Sequence, residues 1–252
     1  MKFDANIEIE NIVHFIQDYY SKYSLKSAVL GVSGGKDSAV VLALLVRALG
    51  KENVVGLTMP CHSSKEDSTL ANKLASHYGI RLYNVDLTTT YDTMVQSILD
   101  GYKDVVDNNL HDSNINLKPR LRMSTLYYYA AMLSHVEGKP YLVAGTSNKC
   151  ELYVGYFTKG GDNVHDIATI ADYTVDEVIA IGEALGVPSE ILHRPPSDGL
   201  SNMTDEDKLG VKYSDIAIHM VDPSKLDSNV REKIDRLHST SRHKFTIPTY
   251  RR

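Results

Sequence analysis

The chain has 252 residues, of which 42% are hydrophobic and 23% charged, and its formal net charge is -5. This ordinary globular composition excludes a disordered or fibrous chain, and the acidic balance argues against nucleic acid as a partner. No apolar run approaches the about 20 residues of a membrane-spanning helix, so no membrane partner is expected. Two cysteines, Cys61 and Cys150, are too few for a disulfide framework, and we expect a reduced, cytoplasmic protein.

Short apolar strands alternate with one-sided helices along most of the chain. The pattern predicts helices over 7–20, 39–49, 63–78, 88–97, 121–136 and 174–185, strands over 27–32, 54–59, 81–86 and 141–146, and short C-terminal helices. Polar stretches predict loops over 155–166 and 195–207, and a loop or weak helix over 100–116. Strand–helix alternation is typical of parallel βαβ units. We therefore predict an α/β fold, a doubly wound, mostly parallel sheet flanked by helices, with residues 1–252 forming a single domain.

The strongest local motif is Ser-Gly-Gly-Lys-Asp-Ser at residues 33–38, which we call the phosphate loop. It follows a predicted strand and opens a helix, where glycines and free backbone N–H groups suit a bound phosphate. Asp37 would repel phosphate alone, so we expect a divalent cation between its carboxylate and the phosphates. The spacing matches neither the Walker motif nor G-x-G-x-x-G. It resembles the S-G-G-x-D-S loop of ATP pyrophosphatases, which transfer AMP to an acceptor oxygen and release pyrophosphate.

A basic segment precedes the Tyr-rich helix predicted over 121–136. Lys118, Arg120 and Arg122 would lie at the N-terminus of that helix, where the helix dipole repels cations. Their presence there indicates anionic substrate phosphates, for which arginine is well shaped. The alternative interpretation is a solvated basic face.

A second polar cluster follows the predicted strand over 141–146, and ligand sites in parallel sheets lie at such strand ends. Glu151 lies just beyond this strand, where it is a candidate second ligand for the cation. Lys159 and Asp162 lie on a glycine-containing loop and predict a mobile lid over a reacting carboxylate. Any one of these charges alone is typical of a polar loop. The prediction of a site rests on several of them following one another in the sequence.

Several motifs occur in a fixed order: R-x-R-M-x-x-L-Y, G-T-x-N-x-x-E, G-Y-x-T-K-x-G-D, P-P-S-x-x-L and T-D-E-D-x-L-G follow S-G-G-x-D-S. With this set the sequence resembles ammonia-dependent NAD synthetases over roughly residues 29–216. GMP synthetases, asparagine synthetases and tRNA-thiolating enzymes share the first motif but not the set. The resemblance implies an adenine nucleotide alpha-hydrolase-like, Rossmann-like fold. It also implies ATP-dependent amidation of deamido-NAD with ammonia through an adenylated intermediate, in a homodimer.

The resemblance assigns roles residue by residue. The implied ATP-binding residues are Gly31, Val32, Ser33, Gly34, Gly35, Lys36, Asp37, Ser38, Thr146 and Ser197. The implied deamido-NAD contacts are Arg120, Lys159, Asp166, His243 and Lys244, with Asp37 and Glu151 as Mg²⁺ ligands. Lys159 and Asp162 are the candidate catalytic residues, and the Asp162 carboxylate is a candidate base for ammonium.

The sequence departs from the family at Val175, which stands where a lysine that contacts the ATP phosphates is expected. Lys36 or Lys208 is the candidate substitute. Two alternatives remain: another amide-forming or thiolating ATP pyrophosphatase, and a nucleotide-binding protein that has lost turnover. The motifs occupy nearly all of the chain and leave no room for a glutamine-hydrolysing domain, so the expected nitrogen donor is free ammonia.

Overall fold

The computed structural model describes residues 3–63, 65–102, 111–194 and 204–251. Its centre is a five-stranded sheet whose strands, in chain order, are β1 (Ser27–Gly31), β2 (Val54–Thr58), β3 (Arg81–Asn84), β4 (Tyr141–Gly145) and β5 (Ile167–Ala168). The spatial order is β3-β2-β1-β4-β5, and every pair is parallel. This order places a topological switch point between β1 and β4, where doubly wound folds bind their ligands.

Helices account for most of the rest of the described chain. They are α1 (Ala5–Lys22), α2 (Lys36–Leu49), α3 (Lys65–Tyr78), α4 (Thr88–Gly101), α5 (His111–Glu137), α6 (Lys149–Val154), α7 (Val175–Ala184), α8 (Ser189–Leu192), α9 (Asp205–Leu209), α10 (Tyr213–Val221) and α11 (Ser228–Ser241). Short 3-10 helices cover Lys51–Asn53, Pro223–Lys225 and Arg242–Lys244. Among the described residues, no helix combines the length and the apolar character needed to cross a membrane.

Three apolar clusters hold these elements together. Helices α1, α2 and α7 cover one face of the sheet, and α4 and α5 cover the other. The middle strand β1 is buried on both sides, because Leu30 packs toward α2 while Val29 packs toward α5. A third cluster joins α6, α10 and α11 through Cys150, Ile216 and Ile234. It fixes α6 beside the carboxyl end of β4.

The predicted fold class is confirmed, and apart from the start of α5 the predicted strands and main helices lie within a few residues of the observed ones. Some local predictions were wrong. Helix α5 begins at His111, so Lys118, Arg120 and Arg122 lie inside a long helix and not at its N-terminus. Because the helix continues through Pro119, these cations do not lie at its positive end. The dipole argument for a phosphate site there therefore fails. The short α6, α9 and β5 were not predicted as separate elements.

Candidate active site

The phosphate loop turns from the end of β1 into the first turn of α2, and its own hydroxyls shape it. The Ser38 hydroxyl donates to the Gly35 carbonyl at 3.0 Å and lies 3.1 Å from the Ser33 hydroxyl. Gly34 has φ of +79°, and a Cβ there would lie 2.8 Å from the carbonyl oxygen of Asp67 on α3. The start of α3 is therefore packed directly on the loop. Both the positive φ and this close contact require a glycine at position 34.

Two carboxylates meet beside this loop. Nδ2 of Asn148 donates to Oδ1 of Asp37 at 3.1 Å, and the backbone N–H of Asn148 donates to Oε2 of Glu151 at 3.0 Å. Asn148 is fully buried and caps α6, since its own side chain accepts from the Glu151 N–H. Burial and the nearby charge of Asp37 raise the pKa of the Glu151 carboxyl well above its ordinary value. A cation held by both carboxylates would offset the repulsion between their negative charges.

The donor set fits Mg²⁺, which prefers carboxylate oxygens and normally completes its coordination with water and substrate phosphates. In the described part of the chain, no group of three or more His, Cys, Asp and Glu side chains is placed to hold a metal ion. The Asp37–Glu151 pair therefore suits a cation that arrives with phosphate ligands of its own.

Lys36 is the buried cation of this cluster. Its Nζ lies 3.2 Å from Oδ2 of Asp37 and 5.8 Å from the ring centre of Tyr213. Burial lowers the pKa of the Lys36 ammonium, but the charges of Asp37 and Glu151 outweigh burial and leave it raised. The ammonium is therefore charged where the phosphates of a nucleotide would lie.

The other residues that the sequence connects with ATP binding are Thr146, Ser197, Val175 and Lys208. Thr146 directly follows β4, and Ser197 lies outside the described residues. Val175 begins α7 and packs against the third apolar cluster. Lys208 lies on the short helix α9.

Residues 155–166 form the loop that we call the lid, and it rests on α5. The Thr158 hydroxyl donates to the side-chain oxygen of Asn116 at 2.7 Å, and the Thr158 N–H donates to Oδ1 of Asp162 at 3.0 Å. A Cβ on Gly161 would lie 3.1 Å from Cβ of Pro119, so the lid backbone is in close contact with the helix. The basic segment of α5 and the lid therefore form one surface.

Cations expected to contact deamido-NAD donate to main-chain carbonyls in this structure. Arg120 donates through Nε and Nη2 to the carbonyl of Lys159, both at 3.3 Å. Nζ of Lys159 donates to the carbonyl of His243 at 2.9 Å. Nζ of Lys244 donates to the carbonyls of Gly155 and Phe157 at 2.7 and 2.8 Å. An anionic ligand that binds these groups must compete with carbonyl oxygens.

Asp162 is an exposed residue of the lid, but the protein atoms around its carboxyl group partly desolvate it. Burial raises the pKa of Asp162, while the charges of Arg122 and Lys244 oppose that rise. Burial in turn lowers the pKa of the Arg122 guanidinium, which faces Asp162 from α5. A raised pKa means that this environment favours the protonated form of the Asp162 carboxyl more than water does.

Asp166 ends the lid and ties it to the sheet. Its Oδ1 accepts from the Tyr127 hydroxyl at 3.0 Å, and its Oδ2 accepts from the backbone N–H of Val143 at 2.8 Å. The ring of His165 lies against Gly145, where a Cβ would approach it to 2.4 Å. Both oxygens of Asp166 therefore accept protein hydrogen bonds at the carboxyl end of β4.

No functional role was predicted for Asn148, Tyr127 or Arg242. Asn148 carried a readable signal, because the Asn-x-x-Glu spacing ahead of a short helix is typical of a capping box. Tyr127 and Arg242 carried none, since their partners come from distant parts of the chain.

The phosphate loop, the carboxylate pair and the lid lie together at the switch point of a doubly wound sheet, and this arrangement defines a nucleotide-dependent enzyme. The chain belongs to the NAD synthase family, whose model matches residues 8–248. It is 35% identical over 250 residues to an NH(3)-dependent NAD(+) synthetase from Carboxydothermus hydrogenoformans, covering 98% of each chain.

Solved structures agree with this assignment. The fold matches an NMN synthetase from Francisella tularensis with a TM-score of 0.88 and 30% identity, covering 99% of each chain. It matches an NH3-dependent NAD synthetase from Campylobacter jejuni with a TM-score of 0.80 and 27% identity, covering 99% of this chain and 100% of that one.

Proposed function

We propose that this protein is a ligase that makes NAD by joining ammonia to deamido-NAD at the expense of ATP. In the first step, a carboxylate oxygen of the nicotinate attacks the α-phosphorus of ATP, and pyrophosphate leaves. In the second step, ammonia attacks the activated carbonyl carbon, a proton is lost, and AMP leaves with the bonding electrons. Family membership supports the reaction, and the Asp37–Asn148–Glu151 cluster beside the phosphate loop is the observation that carries it.

In this proposal the phosphate loop binds the ATP phosphates through its backbone N–H groups and the Ser33 and Ser38 hydroxyls. Asp37 and Glu151 hold Mg²⁺, which when bound neutralises charge on the phosphates. Lys36 contacts the ATP phosphates in place of the lysine expected at position 175, because its charged Nζ lies beside the phosphate loop, 3.2 Å from Oδ2 of Asp37. Thr146 and Ser197 complete the nucleotide contacts.

We assign deamido-NAD to the surface formed by the lid, α5 and the C-terminal residues. Arg120, Lys159, His243 and Lys244 supply positive charge there, and Asp166 is held in place by Tyr127 and the backbone of β4. Asp162 is the proposed base for ammonium, because it lies on the lid and burial raises the pKa of its carboxyl, which favours uptake of a proton. Lys159 lies on the same lid and is proposed to stabilise the reacting carboxylate.

The decisive assay mixes purified protein with ATP, Mg²⁺, ammonium and deamido-NAD and measures NAD, AMP and pyrophosphate. We expect one pyrophosphate for each NAD, no pyrophosphate without deamido-NAD, and little activity with glutamine in place of ammonium. Asp37→Asn and Glu151→Gln are expected to lose most activity. Binding of ATP without any product from deamido-NAD would instead favour a nucleotide-binding protein that has lost turnover.

A second candidate substrate is favoured by one comparison. The Francisella tularensis structure with a TM-score of 0.88 is an NMN synthetase, whose product lacks the adenylate half of NAD. The corresponding acid is nicotinate mononucleotide, which offers the same carboxylate to the same chemistry. Parallel assays with the two acids separate the candidates, and we expect the larger kcat/KM with deamido-NAD.

We also propose that two copies of the chain associate. Exposed apolar side chains repeat at helical spacing on α5 and along the neighbouring α4 and its C-cap residue, namely Tyr128, Met132, Val136, Met94, Ile98 and Tyr102. An apolar patch of this kind on a soluble protein favours an interface. Val136→Asp should produce monomers in sedimentation velocity, whereas Val221→Asp, which changes an even more exposed valine on α10, should not.

Two further proposals concern the whole chain. We propose that residues 1–252 act as a single domain, which is supported by the family match over residues 8–248. We propose a cytoplasmic location, which is supported by the two buried, unpaired thiols Cys61 and Cys150.

A further inference from the structure

Helix α6, which carries Glu151, ends against the C-terminal turn, by which we mean residues 241–245. Its C-cap Gly155 has φ of +69°, and a Cβ on this residue would lie 2.1 Å from Cβ of Ser241. The Ser241 side chain therefore packs directly against Gly155. A glycine is required at this point both by its conformation and by the space available.

Arg242 joins the two segments through hydrogen bonds. Its Nη2 donates to the carbonyls of Leu152 and Tyr153 at 3.1 and 2.8 Å, and its Nε donates to the carbonyl of His238 at 3.0 Å. The guanidinium also lies 4.4 Å from the ring centre of Phe245. The last carbonyls of a helix lack helical partners, and a cation there also interacts favourably with the helix dipole.

The opposite end of α6 holds the nucleotide cluster. Asn148 caps the helix and bonds to Asp37, and the Glu151 side chain accepts from the Asn148 N–H. Helix α6 has only six residues. A shift of its last turn therefore moves Glu151 as well, since so short a helix has little stability of its own.

We propose that Arg242 is a positioning residue for the reaction: by bonding the Leu152 and Tyr153 carbonyls, it holds α6 so that Glu151 faces Asp37 at the separation that Mg²⁺·ATP needs. The inference rests on the proposed function, because it takes this carboxylate pair as the Mg²⁺·ATP site. Arg242 acts from the far end of the helix and contacts neither carboxylate.

The test compares Arg242→Met with the wild type by titrating Mg²⁺·ATP calorimetrically without deamido-NAD, so that no turnover occurs. We expect binding to weaken about tenfold, because small displacements of a site residue have large effects. KM for deamido-NAD should change less than about twofold, although His243 and Lys244 are adjacent in sequence. Arg236→Met on α11 is the matched control, since Arg236 is exposed and its guanidinium bonds to no other described residue. It should bind Mg²⁺·ATP like the wild type.

Wild-type Mg²⁺·ATP affinity in folded Arg242→Met protein would overturn the inference. So would an equal loss of affinity for both substrates, because that result indicates general disruption. If Arg242→Met does not fold, Arg242→Lys decides: it keeps the charge but reaches fewer carbonyls, so about threefold weaker binding supports the inference and unchanged binding overturns it. A wild type that binds Mg²⁺·ATP but makes no NAD would refute the proposed function, while the binding comparison would still test Arg242.

Discussion

Asn148 holds Asp37 by a side-chain hydrogen bond of 3.1 Å from Nδ2 to Oδ1. The two residues belong to α6 and α2, which the fold brings together at the carboxyl ends of β4 and β1. The same asparagine caps α6, and it contacts both carboxylates of the proposed metal site: its side chain bonds to Asp37 and its backbone N–H bonds to Glu151. Its loss should therefore change nucleotide binding more than overall stability.

Asn148→Ala tests this relationship. Removing a helix N-cap costs about 1 kcal/mol of stability, and a misplaced carboxylate pair should reduce kcat/KM for ATP by about 100-fold. Asn11→Ala is the matched control, because Asn11 is exposed on α1 and bonds only to Glu8 within the described residues. Steady-state kinetics with varied ATP, together with urea unfolding, measures both effects. A loss of stability without a fall in kcat/KM for ATP would contradict the assignment.

Gly34→Ala tests the packing of α3 on the phosphate loop. A Cβ at this position would be strained by φ of +79° and would lie 2.8 Å from the Asp67 carbonyl oxygen. We expect the free energy of unfolding to fall by about 3 kcal/mol and ATP binding to be lost. Gly138→Ala separates the two causes, because Gly138 has φ of +65° but no atom within 4 Å of its Cβ position. It should cost about 1 kcal/mol in thermal or urea unfolding and leave ATP binding intact.

Arg122→Met should move the pH profile of the reaction. Burial raises the pKa of Asp162, and the charge of Arg122 opposes that rise. Removing this charge should raise the pKa further, so the acidic limb of kcat should shift to higher pH. The measurement is kcat against pH with the concentration of free ammonia held constant. Asp162→Asn should remove the limb, and an Asp162→Asn profile identical to that of the wild type would eliminate the proposed base.

Glu137→Gln tests an ion pair far from the site. Arg81 donates to both Glu137 oxygens at 2.6 and 3.3 Å, and these bonds, with one from Tyr141, lower the pKa of Glu137 to about 2. A carboxylate with a lowered pKa adds stability above its unfolded pKa and loses it as the pH falls toward the folded value. We expect the variant to be less stable by about 1 kcal/mol at neutral pH, since the pair is partly exposed.

The difference between wild type and Glu137→Gln should shrink as the pH falls through the range between the ordinary glutamate pKa and about 2. Urea unfolding at neutral and at acidic pH measures it. A difference that stays constant with pH would show that the contribution of Glu137 does not depend on its charge.

The sequence was most informative where the signal is local. The strands and the phosphate loop were predictable, because apolar runs, glycines and a helix start lie next to each other in the chain. β5 was missed because Ile167 and Ala168 form a strand only by pairing with Ala144 and Gly145. Two residues carry no periodicity, so only the tertiary pairing defines this strand.

The basic segment shows a different kind of error. Lys118, Arg120 and Arg122 are predicted at a helix start because the predicted Tyr-rich helix begins only at residue 121. In the fold α5 continues through Pro119, whose buried ring contacts the lid at Gly161. Packing against the lid outweighs the local cost of proline, which sequence propensity alone does not report.

The strand order also has a consequence for synthesis of the protein. β1 is the middle strand, but its neighbour β4 begins only at Tyr141, which pairs with Ser27. As the chain leaves the ribosome, β1, β2 and β3 can assemble early, while one apolar edge of β1 stays unpaired until most of the chain has been made. Unpaired strand edges are sites of aggregation, and distant pairings form slowly. The nascent chain is therefore most vulnerable in the interval before β4 emerges, when protection by a chaperone matters most.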